Sequence, residues 1–586
     1  VSDDWADDAL DTERPSSAER RAARAEKRRG TAQADPNDRR RWPVVVFVVL
    51  ALVLAGVFGG IKASGAGSVP MSSNVVASSV LPVVGPASAS SSAWYCPGPL
   101  PIGPKGGSSI EIANSSGKAV TARLTIVVLT GQAAAALSHS VRWSATNSAR
   151  TATLTVPPLS TSDYALPAAA AGSRAAVSVL ANGGGIAVAA AAASQGVRTT
   201  ATCQVVPGAS WFMASGSTAH AADTFVSVLN PTSLPAVVNV SCAVPALPGT
   251  QTQAIAPPSL QGLTLMPGQI FVVDLGRIVQ LKPNLAVAVT TTSGRVVAGE
   301  WTQTAVGRTY YGRLQGAVSA GLGTWSFPLA SSPPGRMPIY WLFNPSTATS
   351  RVQVAVAVDS KSVTTQQLSL APSTLAVVSP GIVSTPTQQP GSGSTPAGAG
   401  RPAPGFAIVT TISGPPVVAA RGYVVKAAMA SVQARHHSRH SHARPATMAV
   451  YAPWTMLGTG AAQGHWLVFV PPASPALAAG TSGSGKKSHK NSGGVFREAI
   501  YLANSGTVAA HVTLEFLRSA AAGTSGGQAR TARVAVQPGT TLRLGLPVSA
   551  AASSVLVQAT PAVAVELDLY APKLPSGDAT TGIPVA

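Results

Sequence analysis

The chain has 586 residues, 41 Lys and Arg against 21 Asp and Glu, and a formal net charge of +20. At roughly 100–200 residues per domain, that length implies three to five domains and excludes a single ordinary one. Charged residues make up only 11%, the apolar share comes largely from Ala and Val, and 56 Gly and 47 Pro are present. This composition argues against long helical bundles and for short strands joined by many turns.

Residues 1–41 hold ten acids and ten bases, which cancel. Nearly free of large apolar side chains, they read as a disordered cytoplasmic tail. The excess charge therefore lies beyond them, where 31 bases face 11 acids. Such an imbalance favours polyanionic partners, namely anionic wall polymer or lipid headgroups. No helix-turn-helix, zinc-finger spacing or RNP-type strand is present, so nucleic acid is not expected as a partner.

Pro43 to Ile61 is an uncharged run long enough to cross a bilayer as a helix. Arg39, Arg40 and Arg41 precede it, and only Lys62 follows closely. The positive-inside rule then puts the N-terminus in the cytoplasm and the bulk of the chain outside. Residues 42–62 are read as a single transmembrane helix, with a cleaved signal peptide as the alternative. Residues 63–92, rich in Ser, Ala and Gly, are expected to be a spacer.

The outer part carries one phrase four times, centred on Asn114, Asn230, Asn344 and Asn504. Counted from each Asn, apolar residues fall at −4, −2, +8, +10 and +12, as in Tyr340, Leu342, Val352, Val354 and Val356. Alternation on both sides of a turn predicts a hairpin with one buried face. Asn suits the first turn position, because its side chain can bond the backbone ahead. Each phrase follows a Trp: Trp94, Trp211, Trp325 and Trp466. These aromatics fit a sandwich core better than a sugar-stacking platform, since one per repeat at fixed register is what a fold requires. A Pro-containing turn and a further pair of strands complete each repeat.

The fold class is thus all-β, with four tandem immunoglobulin-like β-sandwich modules after the transmembrane helix. A four-bladed propeller-like arrangement is the alternative. The expected modules are 93–207, 208–322, 323–463 and 464–575, with 576–586 as a C-terminal tail. Module three carries a Pro/Gly/Ser segment and a His/Arg tract, and module four a Gly/Ser/Lys insertion.

The His/Arg tract contains Arg435, His436, His437, Arg439, His440, His442 and Arg444. The insertion contributes Lys486, Lys487 and Lys490. With no acid among them and Arg interspersed, they suit anion binding better than metal capture. The histidines would add charge below about pH 6.5. Of three cysteines, Cys242 takes the +12 slot and is expected buried and free. Cys96 and Cys203 bracket the first module, and their pairing is the expected disulfide, with Cys203–Cys242 the rival. Glu566 and Asp568 fall on one side of a strand, which reads as a solvated face, not a glycosidase dyad. No G-x-S-x-G, H-E-x-x-H or P-loop motif appears, so no enzyme and no cofactor is expected.

The Arg-flanked span, the phrase Trp94–Tyr95–Cys96–Pro97–Gly98, and Ser210–Trp211–Phe212 leading to Ala222–Asp223–Thr224 and Asn230–Pro231–Thr232 resemble a family of single-span cell-envelope proteins of actinobacteria. That family is a domain of unknown function with repeated β modules. The resemblance covers about residues 42–575. It implies an extracytoplasmic protein of high-G+C Gram-positive bacteria, often encoded near a wall glycosyltransferase, and brings no catalytic residues. The expectation is a non-enzymatic, membrane-anchored envelope protein that binds anionic wall polymer or scaffolds an envelope-biosynthesis enzyme. Alternatives are a carbohydrate-binding or carbohydrate-processing ectodomain, and a signalling ectodomain with a cytoplasmic contact arm.

Overall fold

The computed structural model describes residues 80–103, 107–130, 141–143, 149–194, 197–219, 222–245, 254–306, 309–328, 336–357, 363–379, 405–425, 451–457, 459, 462–470, 497–519, 530–546, 552–570, 578–581 and 583–585. Apart from two 3-10 turns, their regular structure is strand.

Unit one holds β1 (Ser92–Pro101), β2 (Ser108–Asn114), β3 (Val120–Leu129), β4 (Val141–Trp143), β5 (Ala149–Val156), β6 (Ser160–Ala165), β7 (Arg174–Ala181), β8 (Ile186–Ser194) and β9 (Val197–Thr202). They form two sheets, ordered β1-β7-β3-β5 and β6-β2-β8-β9. Unit two holds β10 (Ser210–Gly216), β11 (Ala222–Leu229), β12 (Ala236–Ala243), β13 (Leu263–Leu265), β14 (Ile270–Asp274), β15 (Leu285–Ser293), β16 (Val297–Val306) and β17 (Thr309–Gly316). Its sheets are β10-β15-β12-β13 and β14-β11-β16-β17, the same plan.

Unit three repeats it with β18 (Thr324–Phe327), β19 (Arg336–Asn344), β20 (Ser350–Ala357), β21 (Val363–Leu370), β22 (Thr374–Val378), β23 (Phe406–Ser413), β24 (Val418–Val425) and β25 (Tyr451–Leu457). Unit four does so with β26 (Gln463–Phe469), β27 (Arg497–Asn504), β28 (Ala510–Ser519), β29 (Arg530–Val536), β30 (Thr540–Gly545), β31 (Ala552–Tyr570), β32 (Asp578–Thr581) and β33 (Ile583–Pro584). Here one long strand, β31, serves both sheets: its first half pairs with β28 and its second with β27.

The expected hairpin around each Asn is not formed. β2 pairs with β6 and β8, whereas β3 pairs with β5 and β7, so the chain crosses between sheets at the Asn. The alternating positions face each other across the core instead of lying side by side. Ile110, Ile112, Leu124 and Ile126 are all buried in one cluster with Trp94. The crossing would bury unsatisfied backbone carbonyls, and the Asn amide removes that cost. Asn344 Nδ2 donates to the carbonyls of Ala348 (2.8 Å), Leu370 (3.0 Å) and Ala371 (3.1 Å). Its Oδ1 accepts from the Ser346 amide and hydroxyl. Asn114, Asn230 and Asn504 repeat the arrangement, all fully buried.

The four tryptophans fill the cores. Trp211, Trp325 and Trp466 each donate the indole N–H to the equivalent carbonyl, of Val296, Val417 and Val563. Cys242 is buried and free, at its +12 slot.

The units close into a ring, each laying the outer face of one sheet on the next unit. Between units one and two, Gln204 Nε2 donates to Ala317 O and β4 pairs with β14. Between two and three, Phe212 meets Phe343 edge-on at 6.1 Å and Trp341 Nε1 donates to Asn284 Oδ1. Between three and four, Thr541 Oγ1 donates to Pro328 O, and a buried ion pair spans the seam. Between four and one, β28 pairs in parallel with β6, and Leu467, Phe469 and Leu556 join the core of unit one.

Two expected boundaries are corrected. Residues 80–92 are not spacer: Val80 and Val84 are buried, and Val84 bridges Val585. Their apolar side chains close gaps at the seams. Residues 576–586 are not a free tail, because β32 pairs with β31 and β33 with β26. The expected spans 1–41 and 42–62 lie outside the described residues, as do 63–79.

Asn344→Asp keeps the shape but loses two donors against three carbonyls. It should cost about 2–5 kcal/mol in urea unfolding. In unit four the place of Ser116, Thr232 and Ser346 is held by Gly506, so one hydroxyl bridge is missing. Gly506→Ser should restore it and stabilise by about 1 kcal/mol, whereas Gly506→Ala should not.

Candidate functional site

Buried charge is concentrated in three places. The first lies on the outer face of β6-β2-β8-β9. Glu111 on β2, 3% exposed, pairs with Arg198 on β9, and Asp163 on β6 stands 3.7 Å from the same guanidinium. Ser109 accepts from Arg198 at 2.9 Å. Burial pushes the Glu111 carboxyl up to about 7; Arg198 opposes the rise and Asp163 adds to it.

The second lies inside unit two. Glu300 on β16 is fully buried, 3.2 Å from Arg313 on β17. Thr302 donates to Glu300 at 2.8 Å, and Arg313 also reaches the Ser215 carbonyl at 3.0 Å and Gln315. Burial raises the Glu300 carboxyl, against the pull of Arg313. The Cys242 thiol is pushed up to about 12, chiefly by burial and then by Glu300. Such a thiol is not a nucleophile at neutral pH.

The third crosses the seam between units three and four. Arg421 on β24 holds Glu566 on β31 through two N–H groups, one of them at 3.3 Å, and both side chains are buried. Burial pulls the Arg421 pKa down, but Glu566, Tyr423 and Tyr340 outweigh it and raise it overall. Arg421 pairs across the strands with Tyr340, as Glu300 does with Val226. The two charges thus occupy one position of the repeat. In unit two the counter-ion comes from the same unit, and in unit three from the next.

Glu566 therefore does not stand on a solvated face, as its alternation with Asp568 had implied. It is covered by unit three. The missed residues Glu111, Glu300, Arg313 and Arg421 carried one sequence signal, a lone charge inside an apolar strand such as Val418–Ala419–Ala420–Arg421.

Cys96 and Cys203 form the disulfide, with Cα atoms 4.6 Å apart, tying β1 to the end of β9. The adjacent Pro97–Gly98 segment presses on unit two. Ser227 donates to the Pro97 carbonyl, and a Cβ at Gly299 would collide with the Gly98 carbonyl. Arg435, His436, His437, Arg439, His440, His442, Arg444, Lys486, Lys487 and Lys490 lie outside the described residues. Their flanks are described: β24 and β26 both run into these insertions at the strand ends opposite the Asn turns. Among the described residues, no group of three His, Cys, Asp or Glu could hold a metal ion.

No protein-family model and no curated protein matches the chain. Among solved structures, it is similar at 10% identity to one titled as the tetra-tandem repeat in the extending region of a large adhesion protein. The match covers 86% of this chain and 97% of that one, with a TM-score of 0.10, too low to relate the two folds.

Arg421→Met takes the cation from a buried carboxylate and should cost about 3–5 kcal/mol in chemical unfolding. Arg421→Met with Glu566→Leu should recover most of that loss, and equal losses in both variants would refute the pair's role. For Glu111, the unfolded carboxyl titrates near the ordinary 4.5 and the folded one near 7. Between those values the unfolded chain has shed a proton that the folded chain keeps, so stability falls as pH rises. Glu111→Gln should remove this slope, leaving Tm unchanged at about pH 4 and higher than wild type at about pH 8.

Proposed function

We propose that the chain is a non-enzymatic, membrane-anchored, extracytoplasmic protein of the bacterial envelope. Its immunoglobulin-like two-sheet units, gathered in a propeller-like ring, bind anionic wall polymer or lipid headgroups and scaffold an envelope-building enzyme. The observation that carries this reading is the basic excess beyond residue 41, displayed on exposed positions such as Lys118, Arg123, Arg150, Arg351, Arg533 and Arg543. The Cys96–Cys203 bridge supports an oxidising, extracytoplasmic setting. The apolar run 43–61, flanked by three arginines, supports the anchor. Among the described residues no helix is long and apolar enough to cross a membrane, and that run lies outside them.

The sugar-stacking alternative loses its proposed platform, because all four repeat tryptophans are buried. The test is co-sedimentation of the full chain with purified anionic wall polymer. Binding should weaken steeply as salt shortens the Debye length from about 10 Å at 0.1 M to about 3 Å at 1 M. Binding indifferent to salt would refute an electrostatic contact.

A further inference from the structure

Three seams of the ring share one device. A segment that follows the third strand of one unit lies along the outermost strand of the next unit's second sheet. Those outermost strands are β6, β14, β22 and β30. After β3, Val141–Trp143 of β4 pairs with β14. After β12, Pro245 bridges Leu375 on β22. At the end of β28, Arg518 and Ser519 run past the last pair with β29, Phe516–Arg530, and pair with Ser160 and Thr161 on β6.

β30 differs. Among the described residues its one strand partner is β27. The cause lies in the preceding unit. β20 and β21 pair to their ends, at Ala357 and Val363, and only residues 358–362 join them. Residues 130–148 and 244–262 make the same connection in units one and two. Unit three thus has neither a long connection nor a freed strand end to lay on unit four. Burial follows coverage: four of the five residues of β14 are buried, against Thr541 alone of the six in β30. An open strand edge displays backbone N–H and C=O groups and pairs readily with an extended segment.

The covered edge on unit two shows what such a segment looks like. Leu229 pairs with Ile270 as Ala503 pairs with Thr541, so Leu542, Arg543 and Leu544 stand where Phe271, Val272 and Val273 do. The residues laid on those three are Trp143, Arg142 and Val141, and Val141 packs against the core of unit two. Leu542 and Leu544 are partly buried against the core of unit four, so apolar residues at the same two places would complete it. The middle place has changed its chemistry. Arg543 is exposed, where unit two has the buried Val272. Like charges directly opposite each other repel and unlike charges attract, so a carboxylate suits that place.

We infer that the outer edge of β30 is a docking site for an extended strand of another protein, with apolar residues at alternate positions and an Asp or Glu between them, opposite Arg543. This goes beyond the envelope reading and holds whether or not the chain is anchored.

The experiment follows backbone amide exchange in the full chain by mass spectrometry. The probe is a synthetic peptide copying residues 138–146 with Arg142→Glu, which places Glu between Val141 and Trp143. Amides of β30 should exchange freely in the dilute chain and slow when the peptide is added, while those of β14 stay as they were. The peptide should bind on the order of 3–10-fold tighter than the unaltered copy, which carries Arg142. In the Arg543→Glu chain that order should reverse, which reports the contact without depending on a loss of fold.

No slowing at the highest soluble peptide concentration overturns the inference, as does equal slowing of β14 and β30. Amides of β30 already protected in the dilute chain would show that its own residues fill the edge. Protection that grows with chain concentration would make a second copy the occupant. Either result refutes a partner strand. An order of the two peptides unchanged by Arg543→Glu refutes the acid opposite Arg543.

Discussion

Each unit depends on one buried amide. A chain that leaves one sheet for the other carries its backbone carbonyls through the interior, where none can reach water. A buried carbonyl without a donor costs about 1–3 kcal/mol. At each crossing a single Asn side chain donates to carbonyls from two separated stretches, its own turn and the end of the fourth strand of the plan. It also accepts from the residue two places ahead. The side chain therefore fixes the turn, the spacing of the sheets and the start of the next strand together. Asp lacks the donors, Gln places them one bond too far, and Ser has too few.

With crossings fixed, the strands that lead into the Asn, such as β2, β19 and β27, become interior on both faces. The inner faces make the cores, and the outer faces make the seams of the ring. Small residues on the outer faces allow close approach, as with Ala187, Ala189 and Ala191 on β8, all buried. At the seam of units one and two the fit leaves no room for a side chain: the Gly98 carbonyl of unit one lies where a Cβ of Gly299 would be. The seam of units three and four is built differently. Ala499 and Tyr501 form a cluster of their own, and a buried Arg421–Glu566 pair crosses to unit three. Breaking such a pair costs more than making it gains, so it fixes register more than it adds stability.

Much of the interior was legible in the chain. The apolar offsets around Asn344 named Val352, Val354 and Val356, and all three are buried. The same register separated Cys242 from the Cys96–Cys203 pair. What period-2 alternation cannot tell is the partner of a strand, because a hairpin and a crossing between sheets bury the same positions. Hence β2 and β3 were read as neighbours in one sheet. The seams were illegible for a related reason. Arg421 and Glu566 are 145 residues apart, and nothing local to either shows that the other will cover it. The burial of Val84 likewise depends on Val585, at the far end of the chain.

The scarcity of charge follows from the same geometry. A free-standing sandwich offers the outer faces of both sheets to water and can place charged residues on alternate positions of every strand. In a closed ring the outer face of one sheet in each unit is covered, and a charge there must find a counter-ion or be excluded. Glu111 and Glu566 each met an Arg there. The other exposed charges are left to rim strands, turns and insertions. The covered faces of the described strands are accordingly built from Ala, Val and other small or apolar residues, in keeping with a chain in which only 11% of residues are charged.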